Sequence, residues 1–173
     1  LRVFRTHFLE REIFADSSKN KTESVEEFSR RAYFGGRTEI FRPLTKSPIY
    51  EYDVNSLYPY VMRENLFPVG AGFFTKTYRK NSLGIYRAIA TVPKTEFIPC
   101  LGVMLKNKYL FPVGTFEGYW TSIEIEYAKS LGYDFKILNG VFFMESEKIF
   151  SRYINYFYDI RKRTKSDSVE NIT

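Results

Sequence analysis

The sequence predicts an α+β fold with a mixed, mostly antiparallel sheet and flanking helices. Period-two alternation recurs in short stretches, clearest where Ile85, Arg87, Ile89 and Thr91 alternate with Tyr86, Ala88, Ala90 and Val92. Helical spacing recurs in others, as at Ile149, Tyr153, Tyr156, Phe157 and Ile160. Turn-forming Gly, Pro and Asn separate the two kinds of stretch, with no internal repeat.

In chain order, Leu1, Phe4, Phe8 and Leu9 share a helical face, and the polar run Asp16 to Glu23 reads as a loop. Thr22-Glu23-Ser24 caps a short helix through Glu26, Phe28 and Arg31. A strand is expected over Thr38 to Arg42, and a second over Pro48 to Tyr52 that delivers Asp53 at its end. Asn55 and Ser56 are placed to cap a helix from Ser56 to Asn65, and Pro68 to Gly72 reads as a turn. Strands follow over Phe73 to Tyr78 and Gly84 to Pro93. Ile98 to Leu105 and Tyr109 to Phe116 form a hairpin closed at Lys106-Asn107-Lys108. Thr121 caps a helix from Ser122 to Leu131 that Gly132 ends, with Glu124 and Glu126 early as the macrodipole prefers. Tyr133 to Phe143 is a further strand, and Glu145 to about Lys165 the longest helix.

Composition narrows the function. The chain has 173 residues, enough for one domain or two small lobes, and its 18% aromatic content argues for a packed core. A formal charge of +6 suits a polyanionic partner without requiring one. One cysteine, Cys100, and one histidine, His7, exclude an intramolecular disulfide, a Cys/His zinc cluster and a Ser-His-Asp or Cys-His mechanism within the chain. No apolar run approaches the ~20 residues that span a bilayer, and no signal-peptide pattern opens the sequence. An intracellular, non-secreted protein without a membrane partner is expected.

The stretch richest in chemistry is Asp53-Val54-Asn55-Ser56-Leu57-Tyr58-Pro59, with Tyr33-Phe34-Gly35-Gly36 twenty residues upstream. A carboxylate at a strand end beside free helix N-terminal amides can hold a divalent cation and a phosphate together. Asp53 can equally be an ordinary acidic residue ending a strand, and Gly35-Gly36 an ordinary turn. Arg161 and Lys165 lie i, i+4 on one helical side, where both can reach a triphosphate or simply face solvent.

The D-x-x-S-L-Y-P spelling resembles the first catalytic motif of family B DNA polymerases. With Y-x-G-G before it, the chain is similar to the protein-primed branch of phages, linear plasmids and some organelles. The resemblance implies a partial polymerase palm with a small β-hairpin/helix insertion, and two-metal nucleotidyl transfer with Mg2+. It implies that Asp53 is the catalytic carboxylate and, with the Val54 carbonyl, a metal ligand. Ser56, Leu57, Tyr58, Arg161 and Lys165 then bind the nucleotide, Tyr58 as the ribose gate. Tyr33, Gly35, Gly36 and Arg37 then meet the template strand. The implied partners are template and primer DNA, dNTPs and a terminal priming protein, in a bacterial or host cytoplasm or a mitochondrion.

The same resemblance divides the chain. Residues 1–32 are a helical linker from an exonuclease side, 33–97 the Y-x-G-G loop and partial palm, 98–145 the insertion that contacts the priming protein and upstream DNA, and 146–173 the start of the fingers helix. The later N-S-x-Y-G and Asp-Thr-Asp motifs and a D-x-E exonuclease pair do not occur in these residues. The isolated chain is therefore expected to be inactive. The alternative is a stand-alone module, derived from such an enzyme, that binds nucleic acid or the priming protein. A third reading, an unrelated interaction domain, requires both motif matches to be accidents.

Overall fold

The computed structural model describes Phe4, Phe8, the backbone of 14–15, and residues 24–40, 44, 46–106 and 108–163. The chain folds as two compact units. One comprises Leu1–Glu10, Gly35–Leu66 and Lys148–Thr173, the other Arg11–Phe34 and Phe67–Glu147.

The second unit is built on a five-stranded sheet. Its strands are β1 (Phe14–Ala15), β2 (Phe67–Thr75), β3 (Gly84–Val92), β6 (Gly114–Thr121) and β7 (Asp134–Glu147). Their order is β1-β2-β7-β3-β6, and only the β1–β2 pair is parallel, so the sheet is mixed and mostly antiparallel. The short strands β4 (Val103–Leu105) and β5 (Lys108–Leu110) make a separate antiparallel hairpin. Two helices belong to this unit, α1 (Val25–Arg30) and α3 (Ser122–Ser130). Each begins in a capping box, Ser24 with Glu27 and Thr121 with Glu124, so two otherwise orphaned amides are satisfied at each start.

Alternation sends successive residues of the strands to two separate cores. On one side Tyr86, Ala88, Ala90 and Val92 of β3 meet Trp120, Leu101, Ile125, Ala128 and Tyr133. On the other, Val141 and Phe143 of β7 pack with Val25 and Phe28 of α1, joined by Ile85 and Tyr119. Strand β7 serves both, because Phe135 and Ile137 pack against the first core and Val141 and Phe143 against the second. All four are odd-numbered and would share a face in a regular strand. The register breaks between Arg87↔Asn139 and Ala88↔Ile137, which leaves Leu138 as the extra residue that reverses the alternation. The buried Ser122 is satisfied, its hydroxyl accepting the Gly84 N–H at 3.1 Å.

The first unit is helical. Helix α2 (Leu57–Glu64) packs with α4 (Ser151–Arg163), where the Ser151 hydroxyl donates to the Arg63 carbonyl at 2.7 Å. Aromatic rings organise the rest of it. Phe4 stacks on Phe150 with centroids 4.7 Å apart, and Phe8 meets the edge of Tyr153 at 5.3 Å. Glu64, beside Arg63 and Lys148, titrates below the usual carboxylate range because it accepts from the Arg63 guanidinium.

Several expected elements differ. Residues 48–52 and 38–40 are irregular rather than strands, and Tyr52 is 90% exposed. A strand needs a neighbouring backbone to complete its ladder, and among the described residues none pairs with these stretches. Pro68 to Gly72 lies inside β2, where Gly70 takes φ +77° and the register shifts between Val69 and Gly72, so the Pro/Gly signal marks a bulge instead of a turn. Glu145 to Glu147 extend β7, pairing with Val69, Pro68 and Phe67, and tertiary pairing there overrides helical preference. Helix α4 accordingly starts at Ser151. The expected N-terminal helix lies largely outside the described residues, as do Phe41, Arg42, Asn107 and Lys165.

Candidate nucleotide-binding site

The Asp53-to-Pro59 segment enters α2 through an unusual residue. Ser56 occupies the position before the helix with φ 56° and ψ 35°, in the left-handed region, and its side chain makes no capping hydrogen bond. This corrects the expectation that Asn55 and Ser56 cap the helix. A serine hydroxyl reaches the N2 or N3 amide only from extended backbone, and Ser56 is not extended. The left-handed turn is closed by the Leu57 N–H donating to the Val54 carbonyl at 3.2 Å, and the Tyr60 N–H donates to the Ser56 carbonyl at 2.9 Å. Pro59 has no amide proton to satisfy, which suits the first helical turn. A non-glycine residue held at positive φ costs about 1 kcal/mol or more and is a frequent mark of a working site.

Asp53, Asn55 and Ser56 line an open cleft of about 620 Å³ together with Tyr158, Arg161 and Lys162 of α4. All six belong to the first unit. The floor thus offers one carboxylate, one amide and one hydroxyl, faced by a guanidinium and an ammonium. The Lys162 ammonium lies 4.7 Å from the centre of the Tyr158 ring, an i, i+4 cation–π pair that orders its long side chain. Arg161, Lys162 and Arg163 also fall in the last turn of α4, where cations complement the helix dipole. The cleft lining therefore combines one carboxylate, Asp53, with two basic side chains, Arg161 and Lys162.

The structure joins three of the sequence-predicted residues, Asp53, Ser56 and Arg161, in one place. Tyr58 is outside that lining and 77% exposed, with its hydroxyl 3.9 Å from where a Cβ on Gly36 would stand. Val54 and Leu57 are exposed, and Lys165 lies outside the described residues. Tyr33 is 83% exposed, and a Cβ on Gly35 would meet no atom within 4 Å. Arg37 is engaged by Glu39, its Nε donating to Oε2 at 2.7 Å. Asn55, Tyr158 and Lys162 were not among the predicted site residues. The signal for two of them was present, since residues 158, 161, 162 and 165 share one side of a helix.

As a cation site the described residues are open. Among them no group of three or more His, Cys, Asp or Glu side chains comes together. Within the cleft lining Asp53 offers a carboxylate, Asn55 an amide oxygen and Ser56 a hydroxyl, while Val54 lies outside the lining and its carbonyl accepts the Leu57 N–H. That set fits Mg2+, which commonly takes one or two carboxylates and completes its shell with water and substrate phosphates.

Phi29 DNA polymerase has this fold, at a TM-score of 0.65 and 21% identity over 89% of this chain and 29% of that one. Its complex with primer-template DNA and incoming nucleotide substrates matches at 0.65 and 22%, over 90% and 29%. The family described as DNA polymerase type B, organellar and viral, matches residues 1–173, and the chain belongs to it. A protein of Neurospora intermedia named "Probable DNA polymerase" is 31% identical over 181 residues, which is 96% of this chain and 18% of that protein. Another of the same name from Ascobolus immersus is 30% identical over 173 residues, 95% and 14%. The chain thus spans less than a fifth of the length of these relatives.

Proposed function

We propose that this chain is the part of a protein-primed DNA polymerase that carries the first catalytic carboxylate and the start of the nucleotide-binding helix. The observation that carries the reading is the cleft uniting Asp53, Asn55 and Ser56 with Arg161 and Lys162. Arg161 and Lys162 bind triphosphate oxygens, and Asp53 with the Val54 carbonyl holds Mg2+ against them. The cation, when bound, offsets the triphosphate charge and favours ionisation of the primer 3′ hydroxyl. Tyr158 orders Lys162, and Tyr58 selects against a 2′ hydroxyl. Tyr33, Gly35, Gly36 and Arg37 border the template, and residues 98–145 contact the priming protein. The phage polymerase complexes with primer-template DNA and nucleotides support DNA and dNTPs as partners. Among the described residues no helix is long and apolar enough to cross a membrane. We place the enzyme in a mitochondrion or in a bacterial or host cytoplasm.

The test is Asp53→Asn in a polymerase that contains this segment. Nucleotide incorporation falls by at least about a thousand-fold, in line with the loss of a group that holds charge in the transition state, while primer-template affinity stays within about two-fold. Incorporation at the wild-type rate removes Asp53 from the site.

A further inference from the structure

Tyr33 presents its ring to solvent, yet the backbone on either side of it is fixed within the second unit. On the N-terminal side α1 closes in a turn, with the Ala32 N–H donating to Ser29 O at 3.1 Å and the Tyr33 N–H to Arg30 O at 3.2 Å. Arg31 donates to the Tyr119 hydroxyl at 2.8 Å and lies 5.5 Å from that ring's centre. On the C-terminal side Phe34 stacks on Tyr109 of β5, with centroids 4.6 Å apart and planes 15° from parallel. Tyr109 in turn lies against Gly102, where a Cβ would stand 2.2 Å from its Cζ and hydroxyl oxygen. The Gly102 carbonyl accepts the indole N–H of fully buried Trp120 at 2.9 Å. An unbroken series of contacts therefore runs from the core through Trp120, Gly102 and Tyr109 to Phe34, the residue next to Tyr33.

We propose that the Phe34–Tyr109 stack is a positioning clamp through which the β4–β5 hairpin sets how strongly Tyr33 stacks on an unpaired base. This rests on the reading of Tyr33 as a template-strand contact. A ring held in place before binding loses less freedom when a base stacks on it, so the clamp raises affinity without touching nucleic acid itself. Tyr109 and Phe34 are positioning residues, and the hairpin becomes a means of tuning strand affinity from outside the motif.

The test uses the 173-residue chain and a fluorescein-labelled 15-mer of dT, with binding read by anisotropy at several salt concentrations. Tyr33→Ala weakens binding about ten-fold or more, as the loss of one base stack requires. Tyr109→Ala weakens it about three- to ten-fold with the salt slope unchanged, because the phosphate contacts are intact. Tyr109→Phe, which keeps the ring, binds as the wild type. The double variant Tyr33→Ala/Tyr109→Ala binds no more weakly than Tyr33→Ala alone, since a clamp has nothing to hold once the ring is gone. Should Tyr109→Ala fail to fold, Phe34→Leu takes its place in the same cycle. Wild-type binding by Tyr109→Ala, or an additive double variant, overturns the clamp while leaving the Tyr33 contact standing. Wild-type binding by Tyr33→Ala overturns the contact itself and the clamp with it.

Discussion

Replacing Trp120 with phenylalanine tests how the hairpin is fastened to the sheet. Trp120 is fully buried, with Phe116 and Phe135 edge-on at 5.8 and 6.1 Å, and its indole N–H is donated to the Gly102 carbonyl. Phenylalanine keeps one ring and loses the pyrrole portion, roughly 30–40 Å² of buried apolar surface, or about 1 kcal/mol at 25 cal/mol per Å². It also strips the Gly102 carbonyl of its donor, which costs about 1–3 kcal/mol for a buried acceptor. The sum is about 2–4 kcal/mol, a large share of the roughly 5–15 kcal/mol that holds a domain. Urea unfolding followed by far-ultraviolet circular dichroism reads it directly. Trp120 is the only tryptophan, so its fluorescence cannot serve as the common probe. With a urea dependence of about 2 kcal/mol per molar, the midpoint falls by about 1–2 M. A loss below about 0.5 kcal/mol would mean that the indole neither fills this core nor anchors Gly102, and the reasoning fails.

Other outcomes follow from the same structure. Ser56→Gly raises stability by about 0.5–1 kcal/mol, because glycine takes φ 56° without strain and no side-chain cap is lost; a drop in the urea midpoint would show that the serine side chain stabilises the turn. Burial pushes the Tyr133 hydroxyl up from 10 to about 12. A raised folded value means that this contribution is whole below pH 10 and is lost as pH rises towards 12. Tyr133→Phe therefore flattens the fall in melting temperature between pH 9 and 11.5, and an unchanged slope would clear Tyr133 of the effect. In a polymerase containing the segment, Tyr58→Val admits ribonucleotides at least about ten-fold more readily. Unaltered sugar selection in a single-turnover assay would remove Tyr58 from the gate.

Local signals were legible where local physics decides the outcome. The alternation from Ile85 to Val92, the Thr121 cap and the Ser122 helix stand as the sequence predicts, because pleat and capping depend on near neighbours. What depended on distant partners was not legible. Pro68 to Gly72 carries every mark of a turn, yet pairing with β7 makes it a bulged strand, and Glu145 to Glu147 are drawn from helix to strand by that same pairing. Asp53 was singled out by its motif, and the strand expected to deliver it is absent among the described residues. The cleft was half legible. Arg161 was named from its spacing, and the same spacing carried a signal for Tyr158 and Lys162, which line the cleft with Asp53. The left-handed Ser56 had no signal at all, since nothing in its residue type asks for that backbone.

The pairing of Phe67 with Glu147 also bears on how such a chain can change over generations. Eighty-one residues leave and rejoin the main path through two adjacent strand ends, whose Cα atoms in such a pair lie about 5 Å apart. A tight turn spans that gap, so the path from α2 to α4 closes equally well over a long excursion or a very short one. Length inside the excursion is then nearly neutral for the Asp53 segment and for the helix that carries Arg161. Lineages are free to enlarge, trim or exchange it.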